Sequence, residues 1–108
     1  MERKFGLDQN ILDALNAIFA RYAPIEQVLV YGSRATKEYK DHSDIDLAVG
    51  GIKITQQIFA KIWNEINDLP IVFKVDVVHL ETLSNHALKE EIIKHGKILY
   101  QKPAGFSD

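Results

Sequence analysis

Residues 28–49, VLVYGSRATKEYKDHSDIDLAV, decide the fold of this chain, because two short apolar segments flank a polar one. Residues 28–31 are apolar, rich in β-branched side chains and followed by Gly32, which predicts a buried strand. Residues 44–49 alternate at first and then become apolar, which predicts a second strand that Gly50 ends. The polar segment between the two strands predicts a short helical turn or a loop.

Two predicted helices precede and follow this stretch. Apolar side chains recur every three or four positions over residues 7–22, which predicts an amphipathic helix stopped by Pro24. Residues 58–66 repeat this spacing on a face that includes Trp63, and Thr55 stands where it can cap the helix. We expect this face, including Trp63, to lie in the core.

The last third of the chain predicts a strand, a helix and an edge strand. Residues 72–78, VFKVDVV, alternate strongly and predict a third strand. Ser84 or Asn85 can cap a final helix, and Gly96 stands where a residue in the left-handed conformation commonly ends one. Residues 97–100 predict a short edge strand.

The order of these elements predicts the fold class. Helices alternate with three or four strands and pack on the sheet that the strands form, which is typical of a small α/β or α+β domain. This single domain spans residues 1–100. Residues 101–108, which contain Pro103 and Gly105, are expected to form a flexible tail.

The composition fits one globular domain and excludes several kinds of protein. The chain has 108 residues, of which 46% are hydrophobic and 26% charged, and its apolar runs are too short for a membrane-spanning helix. The absence of cysteine excludes disulfide frameworks, zinc–thiolate sites and thiol nucleophiles. With no secretory pattern at the N-terminus, these features predict a cytoplasmic protein. The net charge of −2 argues against direct nucleic-acid binding, which needs a strongly basic face.

Two aspartates open the second predicted strand and predict a metal site. Asp44 and Asp46 are two residues apart and therefore share a face, while Ile45 and Leu47 point into the core. Adjacent carboxylates repel each other unless a cation or a proton lies between them. Oxygen ligands select a hard ion such as Mg²⁺ or Mn²⁺. If Asp76 lies on the neighbouring strand, it becomes a third ligand, and three carboxylates can hold two ions, as in two-metal phosphoryl chemistry.

The segment after the first predicted strand suits a phosphate group. Gly32 lets the backbone approach a ligand closely, and Ser33 opens a helical turn whose free N–H groups attract anions. Arg34 can add positive charge to this site, although a surface or ion-pairing role explains it equally well. From Tyr31 to Asp46 there are three basic and four acidic residues, so a polyphosphate would be attracted only with divalent ions bound.

Each of these features also has a purely structural explanation. Gly32 and Ser33 suit a strand end followed by a helix N-cap. Asp44 and Asp46 suit a turn and a solvated strand edge, and Asp76 suits an exposed position on an edge strand. The three features in this order favour a shared site.

The same residues resemble a known family. Gly-Ser at 32–33, ten intervening residues, Asp-x-Asp at 44–46 and a later aspartate on an apolar strand resemble the signature of the DNA polymerase β-like nucleotidyltransferase superfamily. Residues 32–49 are similar to its minimal nucleotidyltransferase branch, the MntA-like antitoxins, and the likeness extends over nearly the whole chain. The sequence departs from the pattern at Thr36 and Lys37, where members often have Arg-Gly.

The resemblance implies a fold, a reaction and a partner. It implies a mixed sheet flanked by helices, and transfer of AMP from ATP with release of pyrophosphate. Gly32 and Ser33, with Arg34 beside them, would bind the ATP triphosphate, Asp44 and Asp46 would ligate Mg²⁺, and Asp76 would complete the site and activate the attacking hydroxyl. Antitoxin members modify a tyrosine of a helical HEPN-family ribonuclease, so we expect a hetero-oligomer with a HEPN-type toxin.

Two other functions compete with this one. A chain of the same fold could neutralise a helical partner by occlusion, as a binding module without chemistry. The other, nucleotidyl transfer to a small-molecule hydroxyl, is disfavoured because the chain is short for enclosing both the nucleotide and the acceptor. Replacing Asp44 and Asp46 by asparagine distinguishes catalysis from occlusion.

Overall fold

The chain folds around a four-stranded sheet. Its structure is a computed structural model, which describes residues 4–40 and 43–103. The predicted order of helices and strands is confirmed. In chain order, the elements are α1 (Gln9–Ala20), β1 (Gln27–Tyr31), α2 (Ser33–Thr36), β2 (Ile45–Gly50), α3 (Gln56–Asn67), β3 (Val75–His79), a 3-10 turn (Leu80–Thr82), α4 (His86–His95) and β4 (Lys97–Gln101).

The sheet is mixed, as the resemblance implies, and its strand order is β3-β2-β1-β4. β1 pairs antiparallel with both β2 and β4, whereas β2 and β3 are parallel. Because of these directions, the end of β1 and the beginnings of β2 and β3 meet at one edge of the sheet. This edge carries the predicted site.

The two faces of the sheet have different partners. One face forms the main core with α1 and α3, and Ile45, Leu47, Val75 and Val77 belong to it. The opposite face holds a smaller cluster, formed by Leu29, Tyr31, Ala48, Leu80 and Ile92. Side chains alternate along a strand, so Asp46 and Asp76 lie on the second face. The predicted inward direction of Ile45 and Leu47 is confirmed.

Side-chain caps begin three of the helices. Asp8 accepts a hydrogen bond from the Ile11 N–H at the start of α1. Thr55 caps α3 as predicted, and Asn85, one of the two candidates, caps α4 by accepting from Leu88. Each cap satisfies a backbone donor that the helix itself leaves unpaired.

Three expectations about local structure are wrong. The third strand begins at Val75 and not at residue 72, because its ladder starts opposite Ile45 and leaves Val72 92% exposed. Gly96 is extended (φ −64°, ψ 148°) and not left-handed. It is a glycine because a Cβ there would lie 2.4 Å from the Ile92 carbonyl oxygen. Trp63 is 45% exposed, since it flanks the buried stripe of α3.

The C-terminal end of the sheet extends further than predicted. Gln101 belongs to β4, where it pairs with Gln27, and the Lys102 N–H donates to the Glu26 carbonyl. The rest of the predicted tail, residues 104–108, lies outside the described residues. Within the described part of the chain, no helix is long and apolar enough to cross a membrane.

Candidate active site

Gly32 is the residue at which the Gly-Ser segment comes close to the Asp-x-Asp segment. It follows β1 with φ 72° and ψ −151°, a conformation that is essentially restricted to glycine. A Cβ at this position would lie 2.7 Å from Asp46 Oδ2. Gly32 is therefore required twice, once for its backbone angles and once for the close approach of the Asp46 carboxylate.

The short helix α2 begins at Ser33, and its last turn explains the departure at Thr36 and Lys37. Lys37 caps the helix in the left-handed conformation (φ 67°, ψ 19°) and its N–H donates to the Ser33 carbonyl. Thr36 Oγ1 donates to the same carbonyl at 3.3 Å. The turn at which the resembled pattern has glycine thus forms here with lysine, at a cost of about 1 kcal/mol in backbone strain.

Asp46 and Asp76 are brought together by the sheet. They are register partners in the parallel pair of β2 and β3, which confirms that Asp76 lies on the neighbouring strand. Burial raises the pKa of the Asp46 carboxyl, and the negative charges of Asp76 and then Asp44 raise it further. Arg34 and Lys74 oppose this shift. The two strands therefore hold carboxylates that repel each other, which is the electrostatic setting that a cation relieves.

Asp44 lies just outside β2 and is exposed. Its negative charge contributes to the raised pKa of Asp46, after burial and the charge of Asp76. Among residues 4–40 and 43–103, no three histidine, cysteine, aspartate or glutamate side chains are arranged as a ready metal cluster. The donor chemistry, carboxylate oxygens alone, fits Mg²⁺ or Mn²⁺. A metal site formed by all three aspartates stays a prediction.

Lys74 and Tyr31 complete the surroundings of the carboxylates. Lys74 Nζ lies 3.8 Å from Asp76 Oδ1 in an exposed ion pair. Tyr31 is the register partner of Asp46 on β1. Burial, followed by the charges of Asp46 and Asp76, raises the pKa of the Tyr31 phenol. Tyr31 therefore stays protonated at neutral pH beside the site.

Arg34 differs most from expectation. It is 1% exposed, so the expectation of a surface residue is wrong, whereas its binding of phosphate stays untested. Its guanidinium donates to the backbone carbonyls of Ser43 and Phe5. Sequence reasoning missed this role because the two carbonyls belong to segments 9 and 29 residues away.

A comparison with protein families identifies the fold. The model of the family described as polymerase beta, nucleotidyltransferase, matches residues 13–104. The chain belongs to this nucleotidyltransferase family. The predicted superfamily and the predicted class of enzyme, a nucleotidyltransferase, are confirmed. No curated protein matches the chain.

Solved structures share the fold of this nucleotidyltransferase at low sequence identity. A chain of a toxin–antitoxin complex with AMP-PNP is 21% identical, with a TM-score of 0.61 and coverage of 89% of this chain and 75% of that one. A complex of tri-AMPylated Shewanella oneidensis HEPN toxin with MNT antitoxin gives 18% identity, a TM-score of 0.59, and coverage of 89% and 74%. A putative nucleotidyltransferase from Sulfolobus solfataricus gives 18% identity and a TM-score of 0.53, with coverage of 98% and 96%.

Proposed function

We propose that this nucleotidyltransferase transfers AMP from ATP to a hydroxyl group, that of a tyrosine, on a HEPN-type partner protein, and so acts as an antitoxin. One observation carries the proposal: the Gly32 backbone abuts the Asp46 carboxylate, whose register partner is Asp76. The Gly-Ser and Asp-x-Asp segments thus meet at one edge of the sheet. Two structures of similar fold, a toxin–antitoxin complex with AMP-PNP and a complex containing a tri-AMPylated HEPN toxin, support the choice of nucleotide and partner.

The three aspartates and the Gly-Ser segment have separate roles in this proposal. Asp44, Asp46 and Asp76 would hold one or two Mg²⁺ ions, since their oxygen donors and mutual repulsion suit a hard cation. Bound Mg²⁺ would neutralise charge on the triphosphate and on the leaving group. The backbone at Gly32 and the hydroxyl of Ser33 would hold the triphosphate.

The reaction forms one bond and breaks one. The hydroxyl oxygen of the acceptor bonds to the α-phosphorus of ATP, and the bond from that phosphorus to the bridging oxygen breaks, so pyrophosphate leaves. Asp76, beside Asp46 on the sheet, accepts the proton of the attacking hydroxyl. The acceptor comes from the partner, because this domain alone is small for enclosing one, and the working form is therefore a hetero-oligomer.

The intact mass of a HEPN-type partner that co-purifies with this protein tests the proposal. Incubation with this protein and Mg-ATP should add one or more adenylate masses and release pyrophosphate, whereas Asp44→Asn should abolish both. Asp13→Asn is the matched control, because Asp13 is an exposed aspartate on α1, away from the site edge. A stable complex with no mass gain and no pyrophosphate would contradict the proposal.

A second experiment compares catalysis with occlusion. The double variant Asp44→Asn/Asp46→Asn should lose neutralisation of the partner's toxicity in cells if AMP transfer is the inhibitory event. Neutralisation that survives unchanged, with the complex still formed, would favour the binding module. The exposure of Asp44 and the absence of a ready metal cluster among residues 4–40 and 43–103 are the observations that keep this second function in view.

A further inference from the structure

We infer that Arg34 is a positioning residue that fixes the backbone at Ser43 and so places Asp44 in the active site, and that it does not bind phosphate. The inference rests on the proposed function for the role of Asp44. Its structural basis is the network around the guanidinium, which joins four segments of the chain.

Three hydrogen bonds of Arg34 are made to backbone carbonyls of two other segments. Nε and Nη2 donate to the Ser43 carbonyl at 3.2 and 2.8 Å, and Nη1 donates to the Phe5 carbonyl at 2.9 Å. The fork of two N–H groups on one oxygen fixes the direction of the Ser43 peptide. This peptide links Ser43 to Asp44, so it fixes the position of the Asp44 backbone nitrogen.

Ser43 is held on its other side as well. Its N–H donates to the Lys40 carbonyl at 3.0 Å, and its Oγ accepts from the Lys40 N–H at 2.8 Å. Two residues further on, the Ile45 N–H donates to the Lys74 carbonyl at 2.9 Å and begins the pairing with β3. Asp44 therefore lies between two fixed backbone positions, of which Arg34 supplies the first.

Two aromatic rings and a tight turn enclose the guanidinium. The Arg34 Cζ lies 5.2 Å from the centroid of the Tyr39 ring and 4.9 Å from that of Phe73. The N-terminal turn passes next to them with both Phe5 and Gly6 at positive φ, and a Cβ on Gly6 would lie 2.3 Å from the Tyr39 ring. A buried guanidinium that packs against two rings and donates to two carbonyls is well placed to stiffen the backbone and poorly placed to meet a triphosphate.

Arginine is required for this role, because lysine cannot reproduce the contacts. The planar guanidinium reaches two carbonyls on different segments and stacks on rings at the same time, whereas an ammonium group is a compact point charge. Arg34→Lys therefore keeps the charge near Asp46 and removes the fork. It separates a positioning role from an electrostatic one.

Mn²⁺ affinity, measured by electron paramagnetic resonance on the full chain, tests the inference. Loss of a residue that orients a metal ligand commonly weakens metal binding by about 10- to 100-fold, and we expect Arg34→Lys to fall in that range. The affinity for AMP-PNP, measured with Mn²⁺ saturating each variant, should change less. Arg21→Lys is the matched control. Arg21 is exposed and pairs with Glu65. It precedes the beginning of β1, whereas the site lies at the end of that strand.

The opposite pattern would overturn the inference. Unchanged Mn²⁺ affinity with weakened AMP-PNP binding is the behaviour of a direct phosphate ligand. If wild-type protein binds Mn²⁺ but transfers no AMP, the proposed function fails and the Mn²⁺ comparison still decides the role of Arg34. If wild-type protein binds no Mn²⁺, both are overturned.

A second pair of variants covers the case in which Arg34→Lys does not fold, which thermal unfolding would reveal. Tyr39→Leu removes one of the rings against the guanidinium, and Tyr39→Phe retains it. We expect Tyr39→Leu to weaken Mn²⁺ binding, by less than Arg34→Lys, and Tyr39→Phe to leave it unchanged. Equal Mn²⁺ affinity in the two variants would overturn the inference.

Discussion

Replacing Gly32 by alanine perturbs the point at which the two motifs meet. The new Cβ would be placed 2.7 Å from Asp46 Oδ2, closer than real Cβ contacts allow. It would also sit on a backbone at φ 72° and ψ −151°, which side chains rarely tolerate. The variant should therefore lose stability through strain and through overpacking, and Asp46 should be displaced from Gly32.

The magnitude follows from three contributions. Backbone strain of this kind costs about 1–3 kcal/mol, and forcing an extra methyl group into a packed site costs about 1–3 kcal/mol. The reduced freedom of the unfolded chain returns about 0.4–1 kcal/mol. We expect a net loss of about 2–4 kcal/mol in the free energy of unfolding, or a fall of roughly 10–20 °C in Tm for a domain of this size.

Urea and thermal unfolding of Gly32→Ala, Asp46→Ala and the double variant provide the assay. Removing the carboxylate relieves the overpacking but not the strain, so the double variant should recover about 1–2 kcal/mol relative to additivity. Gly50→Ala is the matched control, because it has ordinary backbone angles and its nearest neighbour, a Gln27 side-chain atom, would lie 3.3 Å from the new Cβ. A Gly32→Ala variant within 0.5 kcal/mol of wild type (on the order of a neutral surface change) would refute the reasoning.

Three further predictions concern local features of the fold. Lys37→Gly should raise the free energy of unfolding by up to about 1 kcal/mol in urea titrations, because glycine adopts the left-handed angles without strain. Asp46→Asn should be more stable than wild type at neutral pH. Because the pKa of Asp46 is raised in the folded state, ionisation of this carboxyl lowers the stability of the wild type as pH rises from the ordinary aspartate pKa to the raised one. In thermal scans below the ordinary aspartate pKa, the two proteins should therefore be equally stable. Asn85→Ala should cost about 1 kcal/mol and Ser84→Ala almost nothing, since Asn85 makes the capping bond to Leu88; equal losses in denaturant unfolding would contradict the assignment.

Features that depend on neighbouring residues along the chain could be predicted from the sequence. The alternation of β2 correctly placed Ile45 and Leu47 in the main core, because a strand's side chains alternate by geometry alone. The helix cap at Thr55 was predictable for the same reason, since its partner Ile58 is three residues away. The edge strand after Gly96 also followed from local composition.

Features that depend on distant segments could not be predicted in the same way. That Asp76 lies opposite Asp46 requires β3 to pair with β2 in parallel, and the sequence left this as a condition. The surroundings of Arg34 come from three other segments of the chain, so no local pattern signalled that its guanidinium is buried. Trp63 shows a different limit: helical spacing predicts a buried stripe but not where its edge falls, and Trp63 lies at that edge while Ile62 and Ile66 fill the core.

The unfavourable local features of this fold concentrate near the predicted site. Gly32 holds backbone angles that only glycine adopts readily, and Lys37 holds left-handed angles that strain a residue with a side chain. Asp46 is half-buried beside another carboxylate. A turn followed by a solvated strand edge, the structural explanation for these residues, requires none of the three. Proteins commonly retain such local conflicts where function requires them, because elsewhere substitution removes them readily. The features at Gly32, Lys37 and Asp46 therefore favour a shared site over the purely structural explanation. The role that we propose for Arg34 is to hold the backbone near them, through its hydrogen bonds to the Ser43 carbonyl.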